Sequence, residues 1–251
     1  MFRDGSASMT VEQEFVKPYE HPVDNMADDE LHTFRAKQLS IRAQEVSSTI
    51  DLIGLINRRT APTNIWKLAH PSTSIVQSQI IESLRNRLDS SKLVAIGHSF
   101  GAATSFFASS RDDRIKAVIG MDPWMYPLPK PVFSHDRPHP LLVINSEYFH
   151  WAANLDAIKT LLKDNNKNSK GSAMMVTLKG TGHMDQSDLT VALPPYVTSR
   201  FRPSQTSDPT AVLRSNNDII LAFLQEKVGI MGLNCVAVNL PETSDNVGKF
   251  E

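Results

Sequence analysis

The apolar positions of this chain follow two rhythms. From Glu30 to about Asn57 they recur at three- and four-residue steps, with Leu39, Ala43, Val46, Ile50 and Ile53 on one stripe, which predicts an amphipathic helix. A second helix is predicted over 73–88, with Ile75, Ile80, Leu84 and Leu88 inward and Ser72 or Thr73 as its cap. Beyond residue 92 the stripe gives way to short continuous apolar runs: LVAI (93–96), KAVIGM (116–121), PLLVINS (140–146) and AMMVTL (173–178). Each is rich in branched residues and bounded by Gly, Asp, Pro or Lys. Helical segments are predicted between and after them, at 101–110, 151–163 and about 212–228. Fully apolar strands alternating with helices predict an α/β fold, a parallel sheet covered on both faces.

The flanks carry less pattern. Residues 1–29 mix Asp, Glu, Pro and Gly without periodicity and read as loop, and no strand is predicted anywhere in 1–92. A single domain is expected over 1–231, followed by a poorly ordered tail over 232–251. With 251 residues, 41% of them hydrophobic, the chain can bury a substantial core. A formal net charge of −1 gives no basic face for nucleic acid. No apolar run reaches the roughly 18 residues of a membrane span. The start MFRDGSASMT lacks a charged-then-apolar leader, so the chain as written is expected in the cytosol. The lone Cys235 forms no internal disulfide.

The chemistry gathers at Gly97-His98-Ser99-Phe100-Gly101, a G-x-S-x-G motif. The bare motif is weak, because a turn serine capping a helix looks the same. Here LVAI precedes it and AATSFFA follows, the strand–turn–helix setting that lifts a serine hydroxyl clear of a sheet. Gly97 and Gly101 are both expected where a Cβ would not fit. A nucleophilic serine needs a base and an acid to orient that base, and in this architecture they follow in the order Ser, acid, His. His183, after AMMVTL and the flexible Lys-Gly-Thr-Gly, is the expected base. His98 is expected to pack locally, and His135, His139 and His150 to be surface or pocket residues. For the acid, Asp122 and Glu147 each end a strand, and periodicity does not separate them. Asp112 and Asp113 read as turn residues.

The segments GHSFGAATSFF, DRIKAVIGMDPWMYPLP and PLLVINSEYFHWAANLDAIK together resemble the platelet-activating-factor acetylhydrolase family, calcium-independent serine lipases also described as group VII phospholipases A2. The likeness continues through RDGSAS, LKGTGHMDQSD and LAFLQEKVG, covering most of 2–229. INSEYF and D-x-W-M are its most specific parts. The resemblance implies an α/β-hydrolase fold with a triad of Ser99, Asp122 and His183, and leaves Glu147 a pocket or structural role. It implies the Phe100 N–H as an oxyanion donor, and no metal or cofactor. Trp124, Met125, Tyr148 and Phe149 are the implied acyl-pocket walls, each of which could equally be core packing. The implied substrates are glycerophospholipids with a short sn-2 acyl chain, platelet-activating factor above all.

The family's upstream strands, and the turn that supplies a second oxyanion N–H, have no counterpart in 1–92. The chain is therefore expected to be an N-terminally shortened form with weak or no activity, its nucleophile strand left with an apolar unpaired edge. The family has secreted as well as intracellular members, so a longer form could carry an export signal. Ala102 stands where the family has Gly, and being small it is expected to do little harm. The competing readings are a general short-chain carboxylesterase and a non-catalytic product that binds lipid or a partner. Leu, Val, Tyr and Phe beside basic residues in 189–201 and in the last helix fit transient contact with a lipid surface. They fit packing on the sheet equally, which is the expectation for the helix.

Overall fold

The computed structural model describes residues 8–9, 15–16, 22–23, 25–58, 82–130, 139–149, 151–169, 172–200, 206–232 and 248–250. The chain divides into two compact units, residues 1–35 with 48–88, and residues 36–47 with 89–251.

The first unit holds a short antiparallel pair, β1 (Ser8–Met9) and β2 (Phe15–Val16), in the register Ser8↔Val16 and Met9↔Phe15. These strands correct the reading of 1–29 as loop. A two-residue ladder is too short to leave an alternation in the sequence. Most of the helix predicted over 73–88 lies outside the described residues; Glu82–Leu84 are helical, and the Asn57 side chain bonds both N–H and C=O of Leu88.

Helix α1 (Asp28–Asn57) opens on Asp28, Asp29 and Glu30, three carboxylates placed against the positive end of its dipole. Its middle, residues 36–47, belongs to the second unit and buries Gln38, Leu39 and Ala43.

The second unit is built on a sheet in the order β3 (Leu93–His98), β4 (Ile115–Met121), β5 (Leu141–Ser146), β6 (Ala173–Leu178) and β7 (Gly248–Phe250), every neighbouring pair parallel. The four predicted strands are all present. β7 is new, from the segment read as a tail. The crossovers are α2 (Phe100–Ser109), α3 (Ala152–Ser169) and α6 (Pro209–Phe223), with two single turns, α4 (Leu189–Ala192) and α5 (Pro195–Thr198), before the last. α3 runs six residues past its predicted end at 163, and Asn165 and Asn166 there bond the main chain of His139 and Ala173.

β5 is buried at every position, and α6 sets Val212, Ile219 and Phe223 against Ile119, Leu142, Ile144 and Val176, closing one core. That is the packing role expected for the last helix. β3 is an edge strand among the described residues, with Ile96 48% exposed. α2 is buried along nearly its whole length. It lies so close to the sheet that a Cβ on Gly120 would meet Phe106 Cζ at 2.5 Å.

Candidate active site

Strand register builds the site. A one-residue bulge lets Leu93 face Ile115 and Val94 face Ala117; the strands then run in step to Gly97↔Gly120 and His98↔Met121. Ser99 and Asp122 are the next residues on each side, so both leave the sheet at the same level. Both turn sharply, with φ of 59° at Ser99 and 43° at Asp122. Such values strain a side-chain-bearing residue, and the surroundings hold them in place. The Ser99 N–H donates to the Met121 carbonyl (2.9 Å) and its own carbonyl accepts from the Trp124 N–H (3.2 Å), bracketing Asp122.

Only one of the two motif glycines is sterically required. A Cβ on Gly97 would lie 2.2 Å from the Gly101 carbonyl oxygen and 2.6 Å from the Ala102 nitrogen, so β3 could not approach the first turn of α2. A Cβ on Gly101 would meet no atom within 4 Å, which corrects the expectation for that position. Ala102 is fully buried in α2.

Asp122 is 0% exposed, and its carboxylate is held by the end of β5. The Ser146 N–H donates to Oδ1 and the Ser146 hydroxyl to Oδ2, both at 2.6 Å. Oδ2 also lies 3.2 Å from His183 Nδ1. Three donors converge on this buried carboxylate, and the contact on Oδ2 fixes the imidazole edge that faces it.

His183, its side chain 26% exposed, opens a short turn after β6. That turn is tied down at several points. The Gly182 N–H donates to Asp185 Oδ2 (2.9 Å), Asn216 donates to Gln186 (2.8 Å), and the Thr181 hydroxyl donates to the Leu178 carbonyl (2.7 Å). Gly180, at φ 69°, would carry a Cβ 2.6 Å from the Thr206 hydroxyl. The imidazole stacks on Phe149 (centroids 3.8 Å apart, 14° between planes), and the His98 ring lies 4.3 Å away at 40°. Burial first, and the neighbouring His183 second, push the His98 pKa below the ordinary value, against the pull of Asp122.

His98, Asp122 and His183 carry possible ligand atoms within 4.8 Å of one another. Both oxygens of Asp122 are engaged by Ser146 and His183, whereas the buried His98 Nε2 has no hydrogen-bond partner among the described residues.

The other expected residues fall in different places. Glu147 is exposed and accepts from the Gly180 N–H (2.7 Å), bracing the His183 loop instead of touching its ring. Trp124 meets Phe100 at 5.7 Å and stacks on Tyr126 at 5.8 Å. Phe149 stacks on the His183 ring, and Tyr148 is exposed, its N–H on the Thr181 carbonyl. Met125 is buried and lines a cavity of about 530 Å³ with Leu128 and Leu161, whose lining contains none of Ser99, Asp122 or His183. His139 offers its carbonyl to Asn165; His135 and His150 lie outside the described residues.

Sequence reasoning missed three residues. Ser146 holds the acid, and Asn154 clamps the Pro123–Met125 turn by accepting from the Met125 N–H and donating to the Pro123 carbonyl. His98 flanks His183 instead of packing apart from it. For Ser146, the polar pair Asn145-Ser146 closing an otherwise apolar strand was the available signal.

A serine on a strained strand–helix turn, with a buried acid one strand over and a histidine beyond the next two, in a parallel sheet flanked by helices, defines an α/β-hydrolase fold. The family model described as platelet-activating factor acetylhydrolase, isoform II, matches residues 2–246, and the chain belongs to that family. It is 31% identical over 202 residues to the platelet-activating factor acetylhydrolase of Bos taurus, and 31% over 204 residues to that of Gallus gallus. These alignments take in 80% and 81% of this chain but 42% and 45% of the relatives, so the chain spans less than half their length. A putative phospholipase A2 of Schizosaccharomyces pombe is 26% identical over 260 residues, covering 89% of this chain and 59% of that protein.

Proposed function

We propose that this chain carries the triad of a phospholipid sn-2 esterase, with Ser99 as nucleophile, His183 as base and Asp122 as the acid that orients it. The observation that carries this reading is the buried Asp122 carboxylate, shared between Ser146 and His183 Nδ1 and bracketed by the main chain of Ser99. Asp122 keeps the proton on Nδ1, which leaves Nε2 free to take the proton of the Ser99 hydroxyl. Ser99 Oγ then attacks the ester carbonyl, and the Phe100 N–H at the start of α2 donates to the oxyanion, a contact worth about 10²–10³ in turnover. His183 returns its proton to the departing lysophospholipid oxygen. Water, deprotonated by the same imidazole, releases the short carboxylic acid from Ser99.

The names of the relatives support acetyl-glycerophospholipids such as platelet-activating factor as substrates. In this reading Trp124, Tyr148 and Phe149 wall the acyl side, and Met125, which lines a separate cavity, does not. Leu189, Val191 and Tyr196, the last 77% exposed, stand out on the turns that follow His183 and offer a transient foothold on a lipid surface. No helix of the described residues is long and apolar enough to cross a membrane.

The test is fluorophosphonate labelling together with acetate release from 1-alkyl-2-acetyl-glycerophosphocholine. Labelling of Ser99 that is absent in Ser99→Ala, with turnover of the phospholipid well above that of p-nitrophenyl acetate, is the expected result. Equal turnover of the two esters would make the chain a general carboxylesterase. A chain that neither labels nor hydrolyses would be the non-catalytic binding product instead.

A further inference from the structure

Arg42 lies on the middle stretch of α1, in the same unit as the sheet, and its guanidinium carbon sits 5.0 Å from the centroid of the Phe100 ring. Phe100 directly follows the candidate nucleophile and meets Trp124, which stacks on Tyr126. Arg42 therefore sits at the end of a run of three aromatic rings that starts on the residue next to Ser99.

Packing alone is the simplest account of such a contact, and the second arginine near α1 shows what packing alone looks like. Arg114 spends its donors on the protein, bonding both oxygens of Asp112 and the Ser47 carbonyl. Arg42 is half-buried where Arg114 is exposed, yet among the described residues no carboxylate or carbonyl receives its N–H groups. Stacking on a ring engages the face of a guanidinium and leaves its in-plane donors available. A partly desolvated cation of that kind suits an anion that presents two oxygens side by side, as the two non-bridging oxygens of a phosphodiester are. In a glycerophospholipid the phosphate hangs on the carbon next to the one that bears the sn-2 ester.

We propose that Arg42 receives the substrate's phosphodiester, making it a specificity-determining residue that selects an ester with a negative charge one glycerol carbon away. This rests on the phospholipid esterase reading above.

The experiment compares dihexanoylphosphatidylcholine with dihexanoylglycerol, which share acyl chains and differ in the phosphocholine, both below their aggregation concentrations. In Arg42→Met the ratio of kcat/KM for the phospholipid over the diacylglycerol should fall about 10- to 100-fold, the scale of a lost charge-assisted hydrogen bond. Arg42→Lys should recover part of it. Equal losses on both substrates, or an unchanged ratio, would reduce Arg42 to a prop for Phe100. A binding arm uses Ser99→Ala with and without Arg42→Met, in which calorimetry should show at least tenfold weaker binding of dihexanoylphosphatidylcholine in the double variant. If the unaltered chain hydrolyses neither ester, the esterase reading fails while this arm still decides the role of Arg42; equal binding by the two proteins would refute it. Displacement of the lipid by equimolar inorganic phosphate would overturn a lipid headgroup as the ligand.

Discussion

Replacing Asp122 with asparagine tests the relay at its most buried point. The carboxylate accepts three hydrogen bonds, from the Ser146 N–H on Oδ1 and from the Ser146 hydroxyl and His183 Nδ1 on Oδ2. An amide can satisfy the first only with its oxygen at the Oδ1 position, because a main-chain N–H cannot reverse its polarity. The opposite rotamer would set two donors against each other at 2.6 Å, costing about 1–3 kcal/mol. The amide NH₂ therefore occupies the Oδ2 position. The Ser146 hydroxyl can rotate to accept from it, but His183 must then present a bare Nδ1. Its proton moves to Nε2, the atom that has to accept the Ser99 proton. Asp→Asn changes of this kind lower kcat by about 10⁴, or about 5.5 kcal/mol. Acetate release and the rate of fluorophosphonate labelling should both collapse, while far-ultraviolet circular dichroism shows the variant folded. Glu147→Gln is the companion, since its amide oxygen can still accept from the Gly180 N–H, and activity should stay within about threefold. A folded Asp122→Asn within tenfold of the unaltered chain would refute the reasoning. A collapse in Glu147→Gln instead would move the acid to Glu147.

Two further substitutions follow from the packing and electrostatics. Gly97→Ala should destabilise by at least about 1–3 kcal/mol and abolish labelling, because its Cβ meets main-chain atoms at 2.2–2.6 Å. Gly101→Ala, with open space around the new methyl, should hold or gain up to about 1 kcal/mol, and urea midpoints for the pair give the comparison. Asp112, hydrogen-bonded first to Arg114 and also to Ser47, has its pKa lowered to about 2 from 3.8. A depressed carboxyl contributes stability that is complete above the unfolded value and lost as pH falls from 3.8 toward 2. Asp112→Asn should cost about 1–2 kcal/mol at pH 7, discounted for the half-exposed Arg114, and the gap should narrow below pH 4 in urea titrations.

The sheet was legible because burial on both faces forces continuous apolar runs, and the four runs read from sequence became β3 to β6. The order of the candidates Ser99, Asp122 and His183 was legible for the same reason, as each lies in the turn that follows a strand. What hid from the sequence was short or three-dimensional. β1 and β2 span two residues each, and β7 takes its order from a neighbouring strand instead of from its own composition. Residue pattern left Asp122 and Glu147 open and only the family resemblance favoured Asp122; in the structure Asp122 is the carboxylate that Ser146 and His183 reach, contacts 24 and 61 residues away in sequence. Met125 sat in the expected motif but faces another cavity, since Asn154 fixes its main chain from α3.

Parallel pairing in strict chain order from β3 to β6 has a consequence for biosynthesis. A ribosome delivers Ser99, Asp122, Ser146 and His183 in that sequence, each on or just after the strand that lies beside its predecessor's. The centre can therefore grow by sideways addition to a nascent sheet, without waiting for a distant segment to thread back. Until the turn bearing His183 has cleared the exit tunnel, the emerging polypeptide holds Ser99 on its elbow and Asp122 on its clamp without the imidazole that completes the cluster.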